Sequence, residues 1–503
     1  MTLNNKKNPR LYEINTRVWI KQFGNSTNLS TIPDDFFNQL KKNGIDIVWL
    51  MGIWKTCDNI IDKCCFQVDL ISSYYNSLPD WRREDVIGSP YSVDQYIVKE
   101  SLGGNEALNE FRKKLNKLGI SLFLDFVPNH FGASSQIIKT NPGVFLRGDE
   151  DLMDKDAHTY FRPVNSQSQI FAHGRDPLFP AWTDTIQVNY FSPEARTFMT
   201  ETLKSISDMC DGVRCDMAML PLNNIFNNTW VGSLSKFKIN KPVTDFWTDA
   251  ISSVKQKSPG FIFLGEAYWD LEYTLQQQGF DYTYDKRLTD RLASGDTFGI
   301  KQHLKADLTF QNKSMRFIEN HDEPRAASKF GEQKSLAAAT IISTISGMKL
   351  FYDGQFEGRK IKLPVQLGRA PVEKISEQVK KYYEKLLVIT GEDIFKIGEW
   401  HLLEAIPASA DNHSFENILI WSWHLDGQLR IIAVNYSSST SQCRLKISIP
   451  SLKEEISFTD LLNGETYIRS ISEMENVGLF IELKSYHSHI FSIKMENTGQ
   501  KTF

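Results

Sequence analysis

The chain reads as an α/β protein built on a closed (β/α)8 TIM barrel, with one domain inserted after the third strand and an all-β domain at its C-terminal end. Three observations predict this. Within residues 1–393, helix-length amphipathic stretches alternate with short apolar runs, and eight such runs can be placed. A long stretch rich in Asn, Asp, Gly and Pro, 131–192, interrupts the alternation after the third run. Beyond 393 the helical period stops and short β-type runs take over.

The first run is 12–14, in RLYEI. A helical stretch over 34–43, closed by Gly44, leads into the second run at 45–50, and the helix 105–118, closed by Gly119, into the third at 121–126. Helix 193–209 precedes the run 212–216, helix 243–256 precedes 261–266, and helix 332–345 precedes 349–352; the runs 279–282 and 315–319 complete the eight. Helix, C-terminal glycine and buried apolar strand together are the pattern of a parallel sheet with crossover helices. A doubly wound open sheet is the alternative, but no GxGxxG follows an early strand. The boundaries expected are 1–130 and 193–393 for the barrel, 131–192 for the insertion, and 394–503 for a β-sandwich with runs at 417–423, 429–434, 457–459 and 488–493.

Composition narrows the functions. Basic and acidic residues number 57 and 61, a formal charge of -4, without the basic excess that nucleic-acid binding usually needs. No eighteen-residue apolar run exists, so no membrane span is expected. The N-terminal MTLNNKKNPRLYEI has no apolar core of a secretory signal, and the six cysteines lack zinc-site spacing. A cytoplasmic protein with reduced thiols is expected. Aromatic residues make up 12%, first of all core filling, second a source of stacking platforms for sugars. Oligomeric state leaves no trace in the sequence.

Polar residues gather at the C-terminal ends of four of the runs. LFLDFVPNH ends the third with Asp125, Asn129 and His130; GVRCDMA ends the fourth with Arg214 and Asp216. FIFLGEAYW ends the fifth with Glu266, and MRFIENHDEPR follows the seventh with His321 and Asp322. Strand C-termini in a barrel converge on one rim, where this architecture carries its chemistry. Any one of these residues is more often a helix cap or a loop ion pair than a catalyst. Four such ends in one chain point to a single site.

These four segments, in this order, resemble the conserved blocks of the α-amylase superfamily, glycoside hydrolase family 13, and the likeness extends over essentially the whole chain. The insertion is similar to that family's domain B and the terminal β segment to its domain C. The resemblance implies a retaining glycosidase acting on α-glucosidic bonds of an α-1,4-glucan or maltooligosaccharide. Asp216 is its nucleophile, kept ionised by Arg214, Glu266 its acid/base, and Asp322 the third carboxylate, binding sugar hydroxyls. Asp216 and Glu266 should then face each other at ~5–6 Å. Glu266 must carry a proton, which burial beside Tyr268 and Trp269 favours.

The same resemblance gives His130 and His321 hydrogen bonds to the sugar, and SPYSVDQY gives Tyr91 a stacking role. Asp125 corresponds to an architectural aspartate. Asn129 resembles a ligand for calcium, the one cofactor the likeness brings in, with the remaining ligands unidentified. WTDTIQVNYF resembles a further block, which would put Trp182, Asp184, Gln187 and Asn189 near the cleft or in a structural role.

One departure matters. Three and four residues past the nucleophile, where many α-amylases carry Lys and His, this chain has Met219 and Leu220. A leaving-group wall that is apolar and relies on stacking by Tyr268 or Trp269 is therefore expected, unless both residues pack beneath the strand end. Within the same scaffold a 4-α-glucanotransferase, a maltosyltransferase or a sucrose-active enzyme is the alternative. From another class, a catalytically inactive carbohydrate-binding protein is opposed by the retention of Asp216, Glu266, Asp322 and Arg214.

Overall fold

The computed structural model describes residues 6–164, 166–449 and 453–494. Its centre is a closed parallel barrel of β1 (Arg10–Asn15), β2 (Ile47–Met51), β3 (Ser121–Phe126), β4 (Gly212–Cys215), β5 (Ile262–Gly265), β6 (Tyr282–Tyr284), β7 (Ser314–Arg316) and β8 (Met348–Tyr352). Each strand pairs with its sequence neighbours and β1 closes on β8, with Leu11 opposite Ile47 on one side and Leu350 on the other. The expected barrel is therefore present. The largest shift from expectation is in the sixth strand: Gly279 has φ of 109°, so the chain turns there and pairing begins only at Tyr282.

Alternation along each strand decides what faces inward. Leu11, Ile47, Trp49, Phe123, Leu264 and Met315 fill the barrel, while Tyr12, Val48, Leu124, Val213 and Phe263 pack against the surrounding helices. The helices include α1 (Asp34–Lys42), α2 (Gly104–Lys117), α3 (Pro193–Met209), α4 (Phe246–Lys257) and α5 (Glu332–Thr344). Gly212 is required on β4, because a Cβ there would meet the Phe123 ring at 2.4 Å and the Ile262 carbonyl at 2.8 Å. That close approach lets β4 lie between β3 and β5, so the ends of all three reach the same rim.

The insertion after β3 is tied back to the barrel by a short antiparallel pair, His130–Gly132 with Thr185–Gln187. A three-stranded sheet of Arg147–Gly148, Ile170–Ala172 and Tyr160–Phe161 forms its body. The C-terminal region is a six-stranded antiparallel sheet, and Ser441–Leu445 with Leu479–Leu483 makes a separate pair packed on it through Ile418, Ile431, Cys443 and Ile481. It joins the barrel through the indole N–H groups of Trp421 and Trp423, which both donate to the Thr344 carbonyl, at 3.0 and 2.6 Å. All six cysteines are buried and unpaired. No helix among the described residues is long and apolar enough to cross a membrane.

Candidate active site

Four inward columns of the barrel end in a polar group. Two residues on from Leu11 is Glu13, from Phe123 is Asp125, from Gly212 is Arg214, and from Leu264 is Glu266. Because inward positions repeat every second residue, these side chains meet at the top of the apolar filling. Arg214 is fully buried at their centre. Its Nη1 donates to Asp216 Oδ1 at 2.8 Å and lies 3.4 Å from Asp125, and its Nη2 donates to Glu266 Oε2 at 2.7 Å. Its Nε donates to the Tyr284 hydroxyl at 3.3 Å, and the rings of Trp49, Tyr91 and Tyr284 lie 5.2 to 5.8 Å from the guanidinium carbon.

Asp216 and Glu266 are thus bound to the two ends of one planar cation. Glu266 Oε2 also accepts the Met217 N–H at 2.6 Å, and Oε1 accepts the Tyr268 hydroxyl at 2.8 Å. Burial raises Glu266 to about 7, with Arg214 pulling it down and Asp216 and Asp322 pushing it up. Burial raises Asp216 as well, and Arg214 opposes this at hydrogen-bonding distance. Asp125, deeper in the barrel, is pushed up by burial to about 7.

Asp322 stands on the loop after β7, its side chain 44% exposed and its Oδ2 2.9 Å from His321 Nε2. Burial disfavours its charge, but the adjacent imidazolium outweighs this and holds Asp322 well below the usual carboxylate range. His321 is raised to about 10: burial opposes the charge, and Asp322 and Glu13 overcome it. The Tyr91 hydroxyl lies 2.6 Å from the same Nε2, and the Tyr91 ring stacks on the imidazole. His130 is buried against Trp182, lowered to about 4 by desolvation, and its Nε2 has no protein partner.

Beyond Tyr268 a groove of about 730 Å³ opens, lined by Met217, Trp269, Phe179, Asp176 and Arg291 among others. Of seven non-glycine residues with positive φ among those described, Met217, Trp269 and Asp270 fall in the loops that follow β4 and β5. Strain of this kind concentrates where a rim is shaped for a ligand. Met219 and Leu220 do not reach this wall: they are 0% and 3% exposed in the packing beneath it. The apolar face expected from them is supplied instead by Met217, Phe179 and Trp269.

The other expected residues serve as anchors. Asp184 lines a small cavity with Cys57, Cys64 and Cys65, and Asn189 Oδ1 accepts the Phe191 N–H. Gln187 is fully buried, and its Nε2 contacts the Asn129 carbonyl at 2.9 Å, Asn129 Oδ1 at 3.0 Å and the Val188 carbonyl at 3.0 Å. The calcium expected at Asn129 therefore does not fit. An amide nitrogen sits among the oxygens a cation would need.

Sequence reasoning missed Glu13, Trp49 and Tyr284. The signal for Glu13 was present in its place two residues beyond Leu11 on the same strand.

Comparison with known proteins agrees with this geometry. The sequence model of the alpha-amylase catalytic domain matches residues 35–378. Alpha-amylase 3 of Dictyoglomus thermophilum is 21% identical over 320 residues, 59% of this chain and 59% of that protein. Alpha-amylase MalA of Haloarcula japonica is 22% identical over 279 residues, 53% of this chain and 36% of that one. The chain thus spans about three-fifths or less of the length of these curated relatives. In fold it is similar to a noncanonic maltogenic alpha-amylase, AmyB from Thermotoga neapolitana, with a TM-score of 0.68 at 20% identity over 97% of this chain and 99% of that one.

Proposed function

Since this chain belongs to the alpha-amylase family and is a glycoside hydrolase of that family, we propose that it cleaves α-glucosidic bonds of short α-glucans with retention of configuration. The observation that carries this reading is the sharing of Arg214 by two buried carboxylates in unequal surroundings. Asp216, bonded to the cation with 10% of its side chain exposed, is the nucleophile. Glu266, raised to about 7, holds a proton near neutrality and serves as acid and then base.

In the first step an Asp216 oxygen bonds to the anomeric carbon as the bond to the leaving oxygen breaks, and that oxygen takes the Glu266 proton. In the second step water attacks the same carbon, gives a proton to Glu266 and expels the Asp216 carboxylate. Asp322, kept anionic by His321, accepts hydrogen bonds from sugar hydroxyls, and His130 and Tyr91 line the same side. The groove beyond Tyr268 and Trp269 receives the leaving portion.

Proton NMR of maltotriose cleavage tests the proposal. The first product should be the α-anomer, and Asp216→Asn should lose activity by several orders of magnitude with its melting temperature unchanged. A β-anomer formed first, or near-normal turnover by the variant, would overturn it. Parallel product analysis on glycogen and sucrose, with and without an acceptor, separates hydrolysis from transfer.

A further inference from the structure

We infer that Glu13 is a positioning residue that holds His321 as a doubly protonated imidazolium, and so keeps Asp322 ionised beside the reacting sugar. Glu13 is on β1, completely buried, and its Oε1 lies 2.5 Å from His321 Nδ1 and 3.4 Å from the His321 N–H. On the opposite side of the ring, Nε2 lies 2.9 Å from Asp322 Oδ2. A neutral imidazole has one N–H, so it donates to one partner only. A ring with an acceptor carboxylate at each nitrogen needs both protons. The Tyr91 hydroxyl at Nε2 can accept from the same N–H and gives no alternative proton source for Nδ1.

The surroundings favour this state from every side. Asp125 and Asp216 face His321 from β3 and from the end of β4, adding to Glu13 and Asp322. The nearby cation is Arg214, which shares the Trp49 and Tyr91 rings with His321 and is itself engaged by Asp216 and Glu266. Lys362 donates to the backbone carbonyl of Asp322, and its charge, like that of Arg214, adds a smaller pull than His321 toward the ionised carboxylate. Of the four carboxylates, Glu13 alone is bonded to Nδ1, the nitrogen that points away from the cleft. It can therefore fix the charge without competing with substrate. When a sugar hydroxyl takes the place of Asp322 or Tyr91 at Nε2, the ring still donates. The role in turnover rests on the glycosidase reading of the same site.

Glu13→Gln separates charge from position, because its amide carbonyl can still accept the Nδ1 proton. In the full-length chain labelled with ¹⁵N-histidine, with the His321 signal assigned by His321→Asn, the wild-type ring should stay doubly protonated through pH 8. The Glu13→Gln variant should titrate about three pH units lower, leaving the ring mostly neutral at pH 8. Its kcat/KM on maltotriose, relative to wild type, should fall about tenfold at pH 8 and much less at pH 5.5, and Glu13→Asp should recover part of it. In a His321→Asn background Glu13→Gln should cost nothing further. An unchanged His321 titration, an equal loss at both pH values, or additive losses in the double variant would overturn the role. Should the wild-type protein leave α-glucosides intact, the glycosidase reading fails, while the titration still decides the link from Glu13 to His321.

Discussion

Arg214 holds Asp216 and Glu266 through separate terminal nitrogens of one guanidinium, at 2.8 and 2.7 Å, with no exposure of its own to solvent. With Asp125 at 3.4 Å, three carboxylates share a single cation, so the cluster keeps a proton that isolated surface carboxylates would lose. Geometry and electrostatics are set by one side chain, and they can be tested through it.

Arg214→Met should destabilise the fold by ~3–5 kcal/mol near neutral pH, because it leaves buried carboxylates without a partner. The sign of its pH dependence follows from burial. Carboxyls whose folded values are raised above their unfolded ones are tolerated when protonated, so stability is fullest below their unfolded values and lost as pH rises through the folded ones. Urea unfolding at pH 5 and pH 8 should therefore show the larger penalty at pH 8. An equal penalty at both would mean that the arginine acts through packing alone.

The pH dependence of kcat/KM should show two limbs. Glu266 is raised from 4.5 to about 7 and acts as an acid, so the rate should decline as pH rises through about 7. Asp216 acts ionised and is raised above 3.8, so the acid limb should lie above the ordinary aspartate range. Glu266→Gln should remove the alkaline limb for substrates whose leaving group needs no proton, such as a glycosyl fluoride. Persistence of that limb in the variant would assign it to another group.

The barrel was legible because its signal is redundant: every helix-strand pair repeats the same switch of period, and glycines at 44 and 119 mark two of the ends. Asp216, Glu266, Asp322 and Arg214 were legible as polar residues at the ends of apolar runs. Glu13 was not, because its strand was read as three residues, 12–14, instead of six, and the inward column from Leu11 went unseen. Met219 and Leu220 were misplaced for another reason. The chain turns sharply after Asp216, with Met217 at φ of 40°, and this carries the next residues under the rim. Spacing along a sequence does not report such a turn.

Gln187 should make attachment of the inserted domain independent of calcium. Its amide nitrogen bridges Asn129 and the Val188 carbonyl, so EDTA should leave the melting temperature and the activity unchanged. Gln187→Ala should cost ~1–3 kcal/mol in urea unfolding, since it leaves buried oxygens without a donor. A melting temperature that drops on chelation and recovers with calcium would show that a cation holds this junction.

The leaving-group side of the site offers the sharpest contrast between sequence position and function. Met219 is fully buried and Leu220 is 3% exposed, whereas Trp269 is 37% and Phe179 66% exposed on the groove wall. A sugar ring can stack on the second pair and cannot touch the first. Trp269→Ala and Phe179→Ala should therefore raise KM for maltooligosaccharides severalfold, each losing ~0.5–1.5 kcal/mol of stacking, while stability is retained. Met219→Lys should do the reverse: a lysine without a partner beneath the rim costs several kcal/mol of folding free energy, and the product pattern of whatever protein folds should be unchanged. If Met219→Lys instead folds normally and shifts products toward longer leaving groups, the loop after Asp216 must open to bring residue 219 into the groove. The wall assigned here to Trp269 and Phe179 would then have to be drawn again.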